Sequence, residues 1–276
     1  MEQVLKTMLE NVRAKTPLVH NITNYVTVND VANVLLAAGG SPIMSDDADD
    51  VEDITSICGG LNINIGTLNK NTIPSMFLAG KKANALGHIV LLDPVGAGAS
   101  RLRTDTANRL MQEVRFDAVR GNISEIKTLC TGSGSTKGVD ADAVDAVTEA
   151  NLDNGVQLVK TFAAQTGCII AVTGAIDLVS DGERCWCIRN GRAEMSRITG
   201  TGCQLSALMT AFLVANPNRK LDAAAAAVCM MGLAGEIGWA NMQPGDGNST
   251  YRNRIIDAIF NMTGDALEEG AKYELR

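Results

Sequence analysis

A chain of 276 residues with 46% apolar side chains can bury a large core, and α/β chains of this size are commonly one domain, so residues 1–276 are expected to fold as one. A net charge of −7 with no run of Lys or Arg argues against nucleic acid and anionic membrane surfaces as partners. Met1-Glu2-Gln3-Val4-Leu5-Lys6 is charged and carries no apolar signal region, and the longest uncharged apolar run, Ala223 to Gly235, is too short to span a bilayer; a soluble, cytoplasmic protein is expected.

In chain order, β-type runs alternate with helix-periodic stretches. Strand Leu18–Ile22 precedes a helix from Val28 to Ala38, strand Pro42–Met44 a helix from Val51 to Cys58, and strand Leu61–Ile65 a helix from Ser75 to Leu86. Strand Ile89–Asp93, a helix from Thr104 to Val114, strand Ala118–Arg120, a helix from Val144 to Gln165 and strand Ile169–Thr173 continue the pattern. The runs Ile-Val-Leu-Leu and Ile-Ile-Ala-Val are apolar on both faces, as buried parallel strands are, so a mostly parallel sheet covered by helices is expected. Asp177–Ser180 and Glu183–Arg189, split by Asp181-Gly182, read as an antiparallel hairpin on the sheet edge. Helices then follow, one opening at Gly200, an Ala-rich one from Leu221 to about Met242 and a last one from Thr250 to about Phe260.

The seven cysteines lie mostly in apolar stretches, which suits reduced core thiols. Cys185 and Cys187 could share a strand face, but with only His20 and His88 in the chain they read as core and not as a zinc site.

The chemistry gathers where strands end. Ile198-Thr199-Gly200-Thr201-Gly202-Cys203 runs into a helix, so the free N–H groups of Gly200, Thr201 and Gly202 can form an anion hole with Cys203 beside the bound phosphate. The helix start lowers the thiol pKa and nearby phosphates raise it, which leaves the resting charge of Cys203 open. Leu92-Asp93-Pro94-Val95-Gly96 ends a strand in a carboxylate and a glycine loop, and Val119-Arg120-Gly121-Asn122 ends another in a cation. Asn122 and Glu125 can close a capping box; alternatively, Glu125 and Asp93 orient water around Mg²⁺. Thr173-Gly174 ends a further strand. Gly132-Ser133-Gly134-Ser135-Thr136-Lys137-Gly138 follows a helix, not a strand, and does not read as a phosphate loop.

The order of His20-Asn21-Ile22-Thr23-Asn24, Pro42-Ile43-Met44, Asn64-Ile65-Gly66-Thr67-Leu68, Asp93-Pro94-Val95-Gly96-Ala97-Gly98, Arg120-Gly121-Asn122, Val172-Thr173-Gly174 and Gly200-Thr201-Gly202-Cys203 resembles the hydroxyethylthiazole kinases of the ribokinase-like superfamily, nearly end to end. The resemblance implies a three-layer α/β/α fold, a homotrimer with sites at subunit interfaces, and MgATP-dependent phosphorylation of 5-(2-hydroxyethyl)-4-methylthiazole in thiamine salvage. It matches Met44 and Gly200 to the thiazole, with Asn24 and Gly66 lining the same pocket. Arg120 and Thr173 match the ATP contacts, Asp93 and Glu125 the Mg²⁺ positions, and Cys203 the catalytic residue. Other ribokinase-like enzymes generally carry aspartate where this chain has Cys203, and the tract Pro244 to Thr250 departs from the Gly-Pro-Gly start common in the family. Two rivals stand beside this reading: another small alcohol, such as a hydroxymethylpyrimidine, as substrate, and a nucleotide sensor without turnover.

Overall fold

The computed structural model describes residues 3–131 and 146–276. The tract 132–138 and Val144 lie outside the described residues, but residues 146–151 of the helix expected from Val144 are not α-helical: a capping box at Thr148 and Asn151 closes a short 3-10 turn, Glu149–Asn151, and the α-helix opens only at Leu152.

The amphipathic helix α1 (Val4–Lys15) opens the chain and buries Leu5, Met8, Leu9 and Val12, one face at helical spacing. Then β1 (Leu18–Ile22), α2 (Val28–Ala38), β2 (Ser41–Met44), α3 (Val51–Ile57), β3 (Gly60–Asn64), α4 (Thr72–Leu86) and β4 (Ile89–Asp93) alternate. They continue into α5 (Arg101–Glu113), β5 (Ala118–Asn122), α6 (Ile123–Thr131), α7 (Leu152–Thr166) and β6 (Ile169–Thr173). The hairpin β7 (Asp177–Ser180) and β8 (Cys185–Ile188) precedes α8 (Thr201–Ala215), α9 (Lys220–Ala240), α10 (Asn248–Asn261), α11 (Gly264–Gly270) and β9 (Tyr273–Leu275).

Among the described residues the strands form one nine-stranded sheet in the order β2-β1-β3-β4-β5-β6-β7-β8-β9. Pairs from β2 through β6 are parallel, and β6 to β9 are antiparallel. The hairpin is therefore not the edge: the short C-terminal strand β9 covers β8, with Trp186 against Tyr273 at 4.3 Å between ring centroids. Alternate residues of one strand face opposite layers, so Leu91 packs beneath α1, α8, α9 and α10 while Val90 and Leu92 pack against α4 to α7. Two helical layers thus enclose the sheet, giving the expected three-layer α/β/α architecture.

Helix α9 is longer than its uncharged run, because Asp222 and Glu236 lie within it, and its length and composition would allow a membrane crossing. It is instead the central helix of one core layer, with 78% of its apolar window buried. All seven cysteines are free thiols, and Cys185 and Cys187 are fully buried in the opposite layer.

Candidate active site

Helix α8 lies on the sheet with its N-terminus at the carboxyl ends of β3, β4 and β5, where open α/β sheets bind ligands. Gly200 caps it at φ +86°, in the left-handed region, and a Cβ there would stand 2.2 Å from Thr27 Cγ2, so only glycine fits. The Gly200 carbonyl accepts the first helical bond from the Gln204 N–H at 2.9 Å, leaving the amides of Thr201, Gly202 and Cys203 ahead of the ladder. Gly202 is constrained from above: a Cβ would meet Arg120 Nη1 and Nη2 at 2.5 Å, because the guanidinium lies directly over that peptide. Free amides, a helix start and a planar cation therefore converge on one spot, the arrangement that binds and neutralises a phosphate.

Beneath it, Asp93 is fully buried at the end of β4, in register with Asn64 of β3. Its Oδ2 accepts from Asn64 Nδ2 at 2.8 Å and from Ser206 Oγ at 2.7 Å, and lies 3.6 Å from Arg120 Nη1. Its Oδ1 has no hydrogen-bond partner among the described residues, although it is buried. Burial holds this carboxyl above the usual carboxylate range in spite of Arg120. Arg120 Nη2 donates to Thr173 Oγ1 at 2.6 Å, joining the ends of β5 and β6.

A second row of amides connects Asp93 to Cys203. Asn64 Oδ1 accepts from the Gly66 N–H at 2.9 Å and from Asn24 Nδ2 at 3.1 Å, while Asn24 Oδ1 accepts from the Thr27 N–H and hydroxyl, each at 3.1 Å. Since a backbone N–H can only donate, both amide groups are fixed in orientation. Asn24 Nδ2 therefore points its hydrogens at Asn64 Oδ1 and at Cys203 Sγ, the latter at 3.2 Å. Burial, followed by the Asp93 charge, pushes the Cys203 thiol above its ordinary pKa; Arg120 and the two asparagines only partly offset this. Burial thus opposes the lowering expected of a helix start.

Glu125 closes the capping box with Asn122: Asn122 N–H donates to Oε2 at 2.8 Å, and Glu125 N–H donates to Asn122 Oδ1 at 2.9 Å. Its other oxygen accepts the Gly96 N–H at 2.8 Å, tying this helix start to the loop after Asp93. Burial and then the neighbouring Asp93 push its pKa up to about 7.

A cavity of about 170 Å³ opens beside this network, lined by Asn21, Met44, Ser45, Asn64 and Met76 among others. Met44 faces it directly. Asn24, Gly66 and Gly200 sit behind or beside its wall: Asn24 on Cys203, Gly66 with its missing Cβ 3.1 Å from Asn24 Cβ, and Gly200 against Thr27. A larger groove of about 800 Å³, lined by Arg115, Phe116 and Cys168, lies at the amino ends of β5 and β6, away from this chemistry.

Sequence reasoning overlooked Asn64 and Ser206 as members of the site. Both had a signal: the polar Asn62 and Asn64 alternate with the apolar Leu61 and Ile63, and Ser206 falls three residues after Cys203 on the same helix face.

The mostly parallel sheet between two helical layers matches the fold of the ribokinase-like kinases. The Staphylococcus aureus pyridoxal kinase, solved with AMP-PCP and pyridoxal, superposes with a TM-score of 0.60 at 14% identity, covering 94% of this chain and 98% of that one, a likeness of fold alone. The hydroxyethylthiazole kinase structure from Pyrococcus horikoshii OT3 matches far better, with a TM-score of 0.87 and 32% identity over 99% of this chain and 98% of that one. A profile of the hydroxyethylthiazole kinase family matches residues 9–265. The hydroxyethylthiazole kinase of Clostridium acetobutylicum is 58% identical over 271 residues, 98% of this chain and 99% of the relative. The chain belongs to the hydroxyethylthiazole kinase family.

Proposed function

We propose that this chain, as one catalytic domain in the cytoplasm, transfers the γ-phosphoryl group of ATP to the hydroxyl of 5-(2-hydroxyethyl)-4-methylthiazole, a step of thiamine salvage. The observation that carries the reading is the guanidinium of Arg120 lying over the Gly202 peptide at the head of α8, with Cys203 one residue further on. Phosphoryl transfer passes through a loose transition state, so the protein's task is to position the hydroxyl and to neutralise charge on the moving group.

Of the expected anion hole Gly200, Thr201 and Gly202, the last two present free helix-start amides, joined by that of Cys203 while Gly200 serves as the cap; with Arg120 these amides receive the phosphoryl group. Thr173 holds Arg120 in that place and sits with it on the ATP side. Met44 forms the apolar wall for the thiazole ring, and Asn24, Gly66 and Gly200 set the path from that ring to Cys203. A cavity of about 170 Å³ suits a single small ring and not a nucleoside-sized acceptor. Cys203 orients the hydroxyl; its thiolate fraction accepts the hydroxyl proton, which becomes acidic only as the oxygen–phosphorus bond forms.

Asp93 fits a role in holding Mg²⁺, because its buried Oδ1 is an acceptor without a partner among the described residues. Both Glu125 oxygens already accept backbone amides, so it would act through water. A Mg²⁺ ion that accompanies phosphates keeps several waters and needs few protein ligands. When bound, Mg²⁺ supplies positive charge at the β- and γ-phosphates.

The family resemblance and the exposed apolar side chains Tyr25, Val26 and Val28 next to Asn24 and Thr27 support a homotrimer with sites at its interfaces. A coupled ADP-release assay against a panel of small alcohols tests the substrate: the thiazole alcohol should give the highest kcat/KM, and a preference for a hydroxymethylpyrimidine would overturn the assignment.

A further inference from the structure

His20 belongs to none of the groups assigned so far. It lies in β1, fully buried, on the face opposite Asn21, and both ring nitrogens are engaged. Nε2 stands 2.9 Å from the Ser45 carbonyl oxygen, and Nδ1 stands 2.9 Å from Thr55 Oγ1 in α3. A carbonyl only accepts, so Nε2 carries the hydrogen; burial lowers the imidazole pKa and keeps the ring neutral, so Nδ1 is bare and accepts from the Thr55 hydroxyl. The tautomer therefore follows from the two partners.

The bond matters because of where Ser45 sits. Strand β2 is the sheet edge, paired only with β1, and its last rung is Met44 opposite Asn21. Ser45 lies one residue past that last rung, and its carbonyl accepts from the His20 N–H of the neighbouring strand. Ser45 Oγ in turn donates to Asp50 Oδ2, fastening the same turn to the start of α3. Met44, Ser45 and Asp46, the segment fastened in this way, form one wall of the 170 Å³ cavity.

We propose that His20 is a positioning residue for the acceptor alcohol: its neutral ring, oriented by Thr55, holds the Ser45 carbonyl and so sets the wall formed by Met44, Ser45 and Asp46. This rests on the reading that the cavity beside Met44 receives the alcohol. The ring acts on binding of the alcohol and not on phosphoryl transfer, since it faces away from Cys203, Asp93 and Arg120.

Steady-state kinetics of His20→Phe, His20→Gln, Thr55→Val and Met44→Ala, each checked for folding by circular dichroism, test it. Loss of one such hydrogen bond should raise KM for the thiazole alcohol roughly three- to tenfold in His20→Phe, with kcat and KM for ATP within about twofold of wild type. His20→Gln, which keeps an N–H donor, should recover part of the loss, and Thr55→Val should shift the same constant in the same direction. If Met44→Ala raises KM for the alcohol and the His20 and Thr55 variants do not, the His20 inference is overturned while the pocket stands. If Met44→Ala also leaves it unchanged, the pocket reading itself is wrong. Equal losses in kcat and in both KM values would make His20 a general structural residue and overturn the proposal. Should His20→Phe not fold, Thr55→Val decides by the same split.

Discussion

Replacing Cys203 with alanine removes the sulfur that accepts a hydrogen bond from Asn24 Nδ2 at 3.2 Å and leaves the rest of the row in place, because Asn24 keeps its bond to Asn64 Oδ1 at 3.1 Å. The structural loss is thus one weak hydrogen bond, on the order of 1 kcal/mol, and the fold should survive. Loss of a positioned proton acceptor is worth about 10²–10⁴ in rate, or ~3–5 kcal/mol of barrier. Cys203→Ala should therefore lower kcat by that factor and retain measurable turnover, since the amides and Arg120 remain. Cys203→Asp places a carboxylate in the first turn of α8, facing the positive end of the helix and the Asn24 donor, and should stay clearly more active than alanine despite the nearby Asp93. The two acceptors should also differ in pH dependence. The wild-type thiol is raised by burial and by Asp93, so kcat should climb with pH above neutrality as the thiolate fraction grows, whereas the aspartate variant should be flat there. Coupled ADP-release kinetics from about pH 6 to 10 read both effects. Comparable kcat for wild type and alanine, in stably folded proteins, would refute this reasoning and leave Cys203 as packing at a helix start.

Arg120→Ala should weaken use of ATP by roughly 2 kcal/mol or more in kcat/KM, as loss of a charge-assisted phosphate contact does; unchanged KM for ATP and unchanged kcat would remove Arg120 from the site. Glu125, raised to about 7 in the folded chain, favours the folded state while protonated, so that contribution is complete below the ordinary carboxylate range and is lost as pH rises through about 7. Chemical denaturation of wild type and Glu125→Gln should therefore show wild type losing stability relative to the variant between about pH 5 and 8, by an amount on the order of 3 kcal/mol. Asp93 shifts in the same direction, and the difference between the two proteins isolates Glu125; a difference independent of pH would contradict the assigned shift. Light scattering coupled to activity tests the assembly: a trimer that loses turnover on dissociation is expected, and a fully active monomer would rule out sites built across interfaces.

Where the chain repeats one local pattern, its fold was legible. Leu18–Ile22, Val28–Ala38, Ile89–Asp93 and Ile169–Thr173 occur as expected, because apolar strands and amphipathic helices bounded by Gly or Pro declare themselves within a few residues. The C-terminal strand β9 was not, since three exposed or half-buried residues have no local signature and pair with β8 only through long-range contact. Helix α1 lies outside the expected elements although Leu5, Met8, Leu9 and Val12 carry the helical spacing, because the charges between them leave no continuous apolar run. The helix expected from Ser75 opens three residues earlier, at Thr72, which puts Pro74 in its first turn, where a missing N–H has no partner to lose. At the site, Gly200 and Cys203 could be placed from spacing. The raised pKa of Cys203 could not, because it depends first on burial in the folded chain and then on Asp93, more than a hundred residues away in sequence, coming close in the folded sheet. Asn64 had a local signal in its alternation with Leu61 and Ile63, but its role follows only from its partners Asp93, Asn24 and Gly66.

The most direct test of phosphoryl transfer to a small alcohol at the head of α8 is phosphorus NMR of purified protein with ATP, Mg²⁺ and the thiazole alcohol. A new phosphomonoester resonance should grow in step with ADP, should be absent when any one of the three components is left out, and should be strongly slowed in Arg120→Ala. ATP cleaved only to inorganic phosphate, or no loss of ATP with all three present, would contradict the account.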